Sequence, residues 1–384
     1  MPNIPEKDAP DASFVSTTAL SLTLSKCTVP MRRGIEMRKF VRGNEAVMIG
    51  AVYAGVDAYF GYPITPASEI AHAASEYLPC LGKEFLQAEC ETGSANMMYG
   101  AASAGKKVMS ASSGPGMSLM QEGISYMAGA QLPGVIVDIM RAGPGLGNIW
   151  PEQGDYNQAV KGGGHGNYKN IVLAPASVQE MCDLTILAFD LSFKYRNPAI
   201  ILADAVLGQM MESIVIPKKV SDAPPSEWAV KGDAETKNNL ICSIYMDVDG
   251  QEKHNVLLNK KYEEMEDDAR AESYLTDDAD LIFTGYGTSA RIARSAVDIL
   301  REKGIKAGLF RPITLFPFPS KELNACASGK KIIVTEMSNG QYRDDVVLHL
   351  ENKEQVMSVS RMGGNLPKVS ALVEAAEKMM EGRA

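Results

Sequence analysis

From Asn44 to Asp204 short runs of β-forming residues alternate with runs of helical spacing. Strands are expected at Val56–Gly61, Glu84–Gln87, Lys107–Ala111, Gly134–Ile139, Ile171–Leu173 and Ala199–Ala203. Helices are expected between them, including Ser68–Tyr77, Thr92–Ala104, Leu119–Ala128 and Val178–Phe193. Short strands alternating with helices of ten or more residues can bury both faces only as a parallel sheet with helices on either side. The fold class is therefore α/β. The pattern breaks over residues 215–275, which carry Pro224-Pro225 and the acidic run Glu263-Glu264-Met265-Glu266-Asp267-Asp268, and resumes as a second, smaller α/β unit. That unit has strands at Leu281–Thr284, Lys306–Phe310 and Lys331–Thr335, with helices at Ser289–Glu302 and Val369–Met380. A chain of 384 residues exceeds one ordinary core, so two domains are expected.

In such sheets ligands bind where strands give way to loops. Gly61-Tyr62-Pro63-Ile64-Thr65-Pro66 stands at such a point, and proline removes freedom from its own backbone and from the residue before it. The hydroxyl of Thr65 is thus carried on a stiff loop. Ser113-Gly114-Pro115-Gly116 follows another strand, and small residues there let backbone approach a ligand; a tight turn against a partner would use the same residues. Arg141 ends a third strand, where it could form a surface ion pair or fork onto a carboxylate. Glu91 opens a helix, a position that the helix dipole favours for any acid.

These runs, with Gln87-Ala88-Glu89-Cys90-Glu91, Met140-Arg141-Ala142-Gly143-Pro144-Gly145-Leu146-Gly147, Lys194-Tyr195-Arg196-Asn197-Pro198 and Leu309-Phe310-Arg311-Pro312-Ile313-Thr314, resemble the α-type subunit of 2-oxoacid:ferredoxin oxidoreductases over residues 37–384. Gly162-Gly163-Gly164-His165-Gly166 and Leu207-Gly208-Gln209-Met210-Met211 look most like the branch acting on branched-chain 2-oxo acids such as 3-methyl-2-oxobutanoate. Pyruvate- and 2-oxoglutarate-specific members are the alternatives. The resemblance implies a thiamine-diphosphate pyrimidine-binding domain over 37–215, a linker or excursion over 216–275, and a transketolase C-terminal-like domain over 276–384. Residues 1–36 lie outside it and are expected to be a disordered or non-family tail.

The resemblance also implies roles. Glu91 is the carboxyl that would contact the aminopyrimidine, with Glu89 its nearest rival. Tyr62, Pro63, Ile64, Ser113 and Gly114 would line the cofactor, Thr65 would touch the substrate or reacting centre, and Arg141 would hold the substrate carboxylate. The family's magnesium motif begins Gly-Asp-Gly. Here Gly154-Asp155-Tyr156 and Gly232-Asp233-Ala234 both fail at the third position. The diphosphate and Mg²⁺ are therefore expected on a β-type partner subunit. A γ-type subunit and a ferredoxin-like iron–sulfur subunit with [4Fe-4S] clusters would complete the complex, which would use CoA and reduce ferredoxin.

Composition agrees with this division. The six cysteines form no Cys-x-x-Cys pair, so no cluster or metal ligand set is expected on this chain. Scattered thiols suit a reducing cytoplasm. A net charge of −9 argues against a nucleic-acid surface, and no apolar run is long enough to span a membrane. Two other readings compete: a thiamine enzyme working without clusters, and a non-catalytic assembly or nucleotide-binding subunit. Gly285-Tyr286-Gly287-Thr288-Ser289-Ala290 has the spacing of a dinucleotide fingerprint, but Phe310-Arg311-Pro312 stands where an acid is needed. The run Gly162–Gly166 lacks a P-loop lysine, and its His165 has no assigned role.

Overall fold

The computed structural model describes residues 37–218, 226–353 and 356–382. Both the expected tail, 1–36, and Pro224-Pro225 lie outside the described residues. The chain enters through β1 (Arg38–Arg42), which pairs antiparallel with β8 (Met211–Val215) in a two-stranded ribbon. Between them lie β2 (Ala58–Gly61), β3 (Glu84–Gln87), β4 (Val108–Ser112), β5 (Gly134–Met140), β6 (Ile171–Leu173) and β7 (Pro198–Asp204). Helices α1 (Gly43–Tyr53), α2 (Ser68–Cys80), α3 (Glu91–Ser103), α4 (Gly114–Gly129), α5 (Val178–Tyr195) and α6 (Ala205–Gln209) connect them.

The parallel order is β6-β7-β5-β4-β2-β3. β5 and β7 are buried along their whole lengths, as mostly apolar strands covered on both faces should be. Ser177 caps α5 by accepting the Glu180 N–H at 3.1 Å, while Glu180 reaches back to the Ala176 N–H at 2.7 Å. α5 ends where Arg196 turns left-handed, just ahead of Asn197-Pro198.

Residues 216–275 hold more structure than a linker. They contain α7 (Val248–Glu264) and β9 (Ala271–Tyr274). Only three side chains of α7 are buried, so its sequence shows no apolar stripe. β9 is a four-residue edge strand with no fully buried position, which leaves no alternating signature.

The second sheet has the order β14-β13-β10-β11-β9, built from β10 (Leu281–Thr284), β11 (Ala307–Pro312), β13 (Lys331–Glu336) and β14 (Val356–Ser360). All its pairings are parallel except β9 on β11. Helices α8 (Gly287–Glu302), α9 (Ser320–Ala327), α10 (Gln341–His349) and α11 (Val369–Met380) accompany it. A short strand, β12 (Thr314–Phe316), leaves this unit and pairs antiparallel with β6, adding a seventh strand to the first sheet.

The two units share one buried core, in which Tyr286 and Tyr342 belong with residues of the first sheet. Arg311, 4% exposed, forks onto Glu180 of α5 at 2.7 and 2.9 Å and also bonds Glu272 at 2.8 Å. The basic residue that spoils the dinucleotide fingerprint is thus an anchor between the domains. Among the described residues no helix is long and apolar enough to cross a membrane.

Candidate functional site

The loops after β2, β3, β4 and β5 leave the sheet along the same edge, because parallel strands end together. The loops after β4 and β5 meet loops of the second domain around a cleft of about 900 Å³, whose described lining includes no residue of the loops after β2 and β3. Gly114, Arg141, Gly143, Glu152 and Asp155 line it from the first domain, and Ser338, Gln341 and Met362 from the second. The loop that runs from Gly145 to Glu152 also carries Leu146, 80% exposed, and Trp150, 63% exposed.

Glu91 is the first residue of α3 and is 5% exposed, whereas Glu89 is exposed and leans over Gly93. Glu91 Oε1 lies 2.4 Å from where a β-carbon on Gly116 would be, and Ser112 Oγ lies 2.1 Å from the same point. The absence of a side chain at Gly116 is what admits the carboxyl. The hydroxyls of Ser112 and Ser113 are buried beside this space with no hydrogen-bond partner.

Arg141 Nη1 donates to the Thr65 carbonyl at 2.8 Å, and Nη2 to the Leu146 carbonyl at 3.1 Å. Its Nε is buried and unpartnered. The guanidinium therefore fastens the loop after β2 to the loop after β5. Thr65 is exposed and precedes Pro66 in a cis peptide. Tyr62 and Pro63 are exposed, Ile64 is half-buried, and Ser113 is fully buried behind Gly114.

The run Glu152-Gln153-Gly154-Asp155, in which the sequence showed only a failed Gly-Asp-Gly, joins the domains at the cleft. Glu152 accepts the N–H of Gly143 at 2.8 Å and of Gly363 at 2.7 Å. Gln153 donates to the Tyr286 carbonyl at 2.9 Å and accepts from Ser289 Oγ and the Met337 N–H, each at 2.9 Å. Beneath the cleft, burial first and then Asp155 push the Asp138 carboxyl well above the usual carboxylate range. Burial also raises Asp155, to about 6, against the opposing pull of Gln158, Gly114 and Arg141.

Two glycine-rich runs have structural duties. Gly287 has φ +55°, and a β-carbon there would meet Asp204 Oδ2 at 2.9 Å. The Asp204 carboxylate sits at the start of α8, where a nucleotide phosphate would have to bind. Gly163 and Gly164 pack closely on Gln121 of α4, and exposed His165 is held through its carbonyl by Ser125 Oγ at 2.7 Å. His165 does not line the cleft. Among the described residues no group of three His, Cys, Asp or Glu could hold a metal ion.

Comparison with known proteins gives consistent matches. The family described as pyruvate flavodoxin/ferredoxin oxidoreductase, thiamine diP-bdg, matches residues 49–277. The pyruvate:ferredoxin oxidoreductase core domain II matches residues 279–372. The chain is 58% identical to the ketoisovalerate oxidoreductase subunit VorB of Methanothermobacter thermautotrophicus over 88% of this chain and 96% of that protein. It is 39% identical to the 2-oxoglutarate synthase subunit KorA of Archaeoglobus fulgidus, over 80% and 90%. A solved 2-oxoglutarate:ferredoxin oxidoreductase from Magnetococcus marinus, with 2-oxoglutarate, coenzyme A and succinyl-CoA bound, superposes with a TM-score of 0.79 at 26% identity, over 92% of this chain and 67% of that one.

Proposed function

This chain belongs to the pyruvate flavodoxin/ferredoxin oxidoreductase family, and on that premise we propose that it is the α-type subunit of an oxidoreductase for branched-chain 2-oxo acids, contributing the pyrimidine end of a shared thiamine-diphosphate site. The reaction is oxidative decarboxylation of the 2-oxo acid with CoA to acyl-CoA and CO₂, with electrons passing to ferredoxin. The observation carrying this reading is Glu91: a buried carboxyl at a helix start, in a gap that glycine keeps open.

The residues present fit the cofactor. Glu91 offers a carboxyl for a ring nitrogen, and the unpartnered hydroxyls of Ser112 and Ser113 offer further polar contacts. Bound there, thiamine diphosphate supplies the electron sink for decarboxylation. The task of Glu91 is to hold a proton at the aminopyrimidine nitrogen. Arg141 lines the cleft and would hold the substrate carboxylate with its guanidinium, and the loop it ties down holds Thr65 beside it. Tyr62, Pro63, Ile64, Ser113 and Gly114 would line the cofactor. The β-type subunit would bring the diphosphate and Mg²⁺, and γ-type and iron–sulfur subunits the electron path, in the cytoplasm.

Substrate class is supported by charge as well as by the greater likeness to the ketoisovalerate enzyme. Among the described residues lining the cleft the cation is Arg141, accompanied by the acids Glu152 and Asp155. One cation suits a monocarboxylate with an apolar tail better than a dicarboxylate such as 2-oxoglutarate. The test is ferredoxin or viologen reduction by the reconstituted complex over a panel of 2-oxo acids with CoA. 3-Methyl-2-oxobutanoate should give the highest kcat/KM. A preference for 2-oxoglutarate would overturn the substrate assignment, and activity of this chain alone would overturn the shared site.

A further inference from the structure

An acid pair lies under the cleft that the reaction above does not use. Asp138 stands on β5 directly beside Ser112 of β4 and has no exposed surface. Its carboxyl meets that of Asp155. Neither oxygen of Asp138 receives a hydrogen bond from an N–H or O–H, and Asp155 Oδ2 receives none. Asp155 Oδ1 is served by Gln158 Nε2 at 2.6 Å, with the Gly114 backbone N–H in reach of the same carboxyl.

Two ionised carboxylates do not share a dry site, since burial and mutual repulsion both oppose it. One proton between them serves the bare oxygens together. Other groups facing Asp155 are Glu152 on its own loop, Arg141 from the end of β5, and the Tyr286 hydroxyl from the second domain. Of these, Arg141 and Glu152 share the cleft wall with it.

We propose that Asp138 and Asp155 share one proton and that the remaining negative charge, on Asp155, sets the affinity of the Arg141 site for anionic substrates. This rests on the reading of Arg141 as the carboxylate anchor. Asp138 keeps its proton, and its O–H donates a hydrogen bond to the Asp155 carboxylate. While Asp155 is charged it opposes a second carboxylate arriving at Arg141; when it takes up a proton, that opposition vanishes. Burial, the largest cause, raises the Asp155 carboxyl to about 6, so this charge changes as the pH passes through that value.

The experiment is the pH dependence of KM for 3-methyl-2-oxobutanoate in the reconstituted complex. In the unaltered enzyme KM should rise by roughly tenfold as the pH passes upward through about 6. Asp155→Asn should hold KM at its low-pH value throughout. Asp138→Asn keeps a donor toward Asp155 and should retain the limb; Asp138→Leu removes it and should move the limb to higher pH. An unchanged limb in Asp155→Asn overturns the proposal, as does an unmoved limb in Asp138→Leu should the first variant fail to assemble. If Arg141→Lys leaves KM unchanged while Asp155→Asn abolishes the limb, the carboxylate anchor is the part that is wrong.

Discussion

The carboxylate of Asp204, at the end of β7, receives the Thr288 hydroxyl at 2.6 Å and the Thr288 backbone N–H at 3.0 Å. The same carboxylate accepts the N–H groups of Val206 and Leu207 at 3.1 and 3.3 Å, so it caps α6 in its own domain and α8 in the other. A single side chain closes two helix starts and joins two domains.

Asp204→Ala should therefore cost about 3 kcal/mol, because buried N–H donors lose their acceptor. Thermal unfolding measures it. Thr288→Ser, which keeps the hydroxyl, should cost far less. NAD should leave the melting temperature unchanged, since the helix start that could take a phosphate is already filled by Asp204; a clear upward shift with NAD would revive the nucleotide-binding reading.

Gly116→Ala should imitate loss of Glu91. Its new β-carbon would sit 2.1 Å from Ser112 Oγ and 2.4 Å from Glu91 Oε1, so the carboxyl must move. Exchange of the C2 proton of thiamine diphosphate in the reconstituted complex should slow by about 10²- to 10⁴-fold in both Gly116→Ala and Glu91→Gln. Glu89→Gln should exchange at the normal rate. Gly100→Ala, on the helix of Glu91 with nothing within 4 Å, is the control for an added methyl group.

Arg141→Lys should lower kcat/KM by about tenfold or more, alike for every 2-oxo acid tested, because all share the carboxylate. Lysine carries its three donors on one compact nitrogen and loses the planar fork that reaches the Thr65 and Leu146 carbonyls from separate nitrogens. Steady-state kinetics over a short panel decide it. A penalty confined to one side chain would place Arg141 in the side-chain pocket instead.

Lys261, on α7, gives a stability signature. Burial lowers its amine from 10.5 to about 7, and its Nζ donates to the Arg196 carbonyl at 3.2 Å. Between these values the unfolded chain holds a proton that the folded chain has released. Stability should therefore rise with pH from about 7 toward 10.5, with a slope of about 1.4 kcal/mol per pH unit from this group. In Lys261→Met that rise should flatten, and stability near pH 6 should increase. Melting curves at several pH values test both.

The strands most legible in the sequence are the fully buried ones, Gly134–Met140 and Pro198–Asp204, whose mostly apolar runs announce them; the exposed edge strand Glu84–Gln87 was legible too, from the alternation of elements. Among those that were not are Ala271–Tyr274, Thr314–Phe316 and Val356–Ser360, edge strands of three to five residues whose partners lie 24 or more positions away. Pairing at that distance leaves no local pattern.

The candidate site divides the same way. Glu91, Arg141 and Gly114 sit at strand ends, and strand ends can be found from the alternation of elements. Glu152, Asp155 and Asp138 could not be found so. Asp138 interrupts a buried run as a lone acid, and only the folded chain shows Asp155 arriving beside it. Glu152 acquires meaning when Gly363, 211 residues later, donates to it.

The seventh strand of the first sheet comes from the second domain. Cutting the chain between residues 277 and 279, where the two family matches meet, would remove β12 and bare the outer edge of β6. The N–H and C=O groups of Ile171–Leu173 would then face water as a pairing template, the kind of exposed edge that recruits a neighbouring chain. Expressed alone, the first half of this protein should aggregate, and coexpression with the second half should rescue it. The boundary that divides the chain in sequence thus runs through the middle of a single cooperative unit.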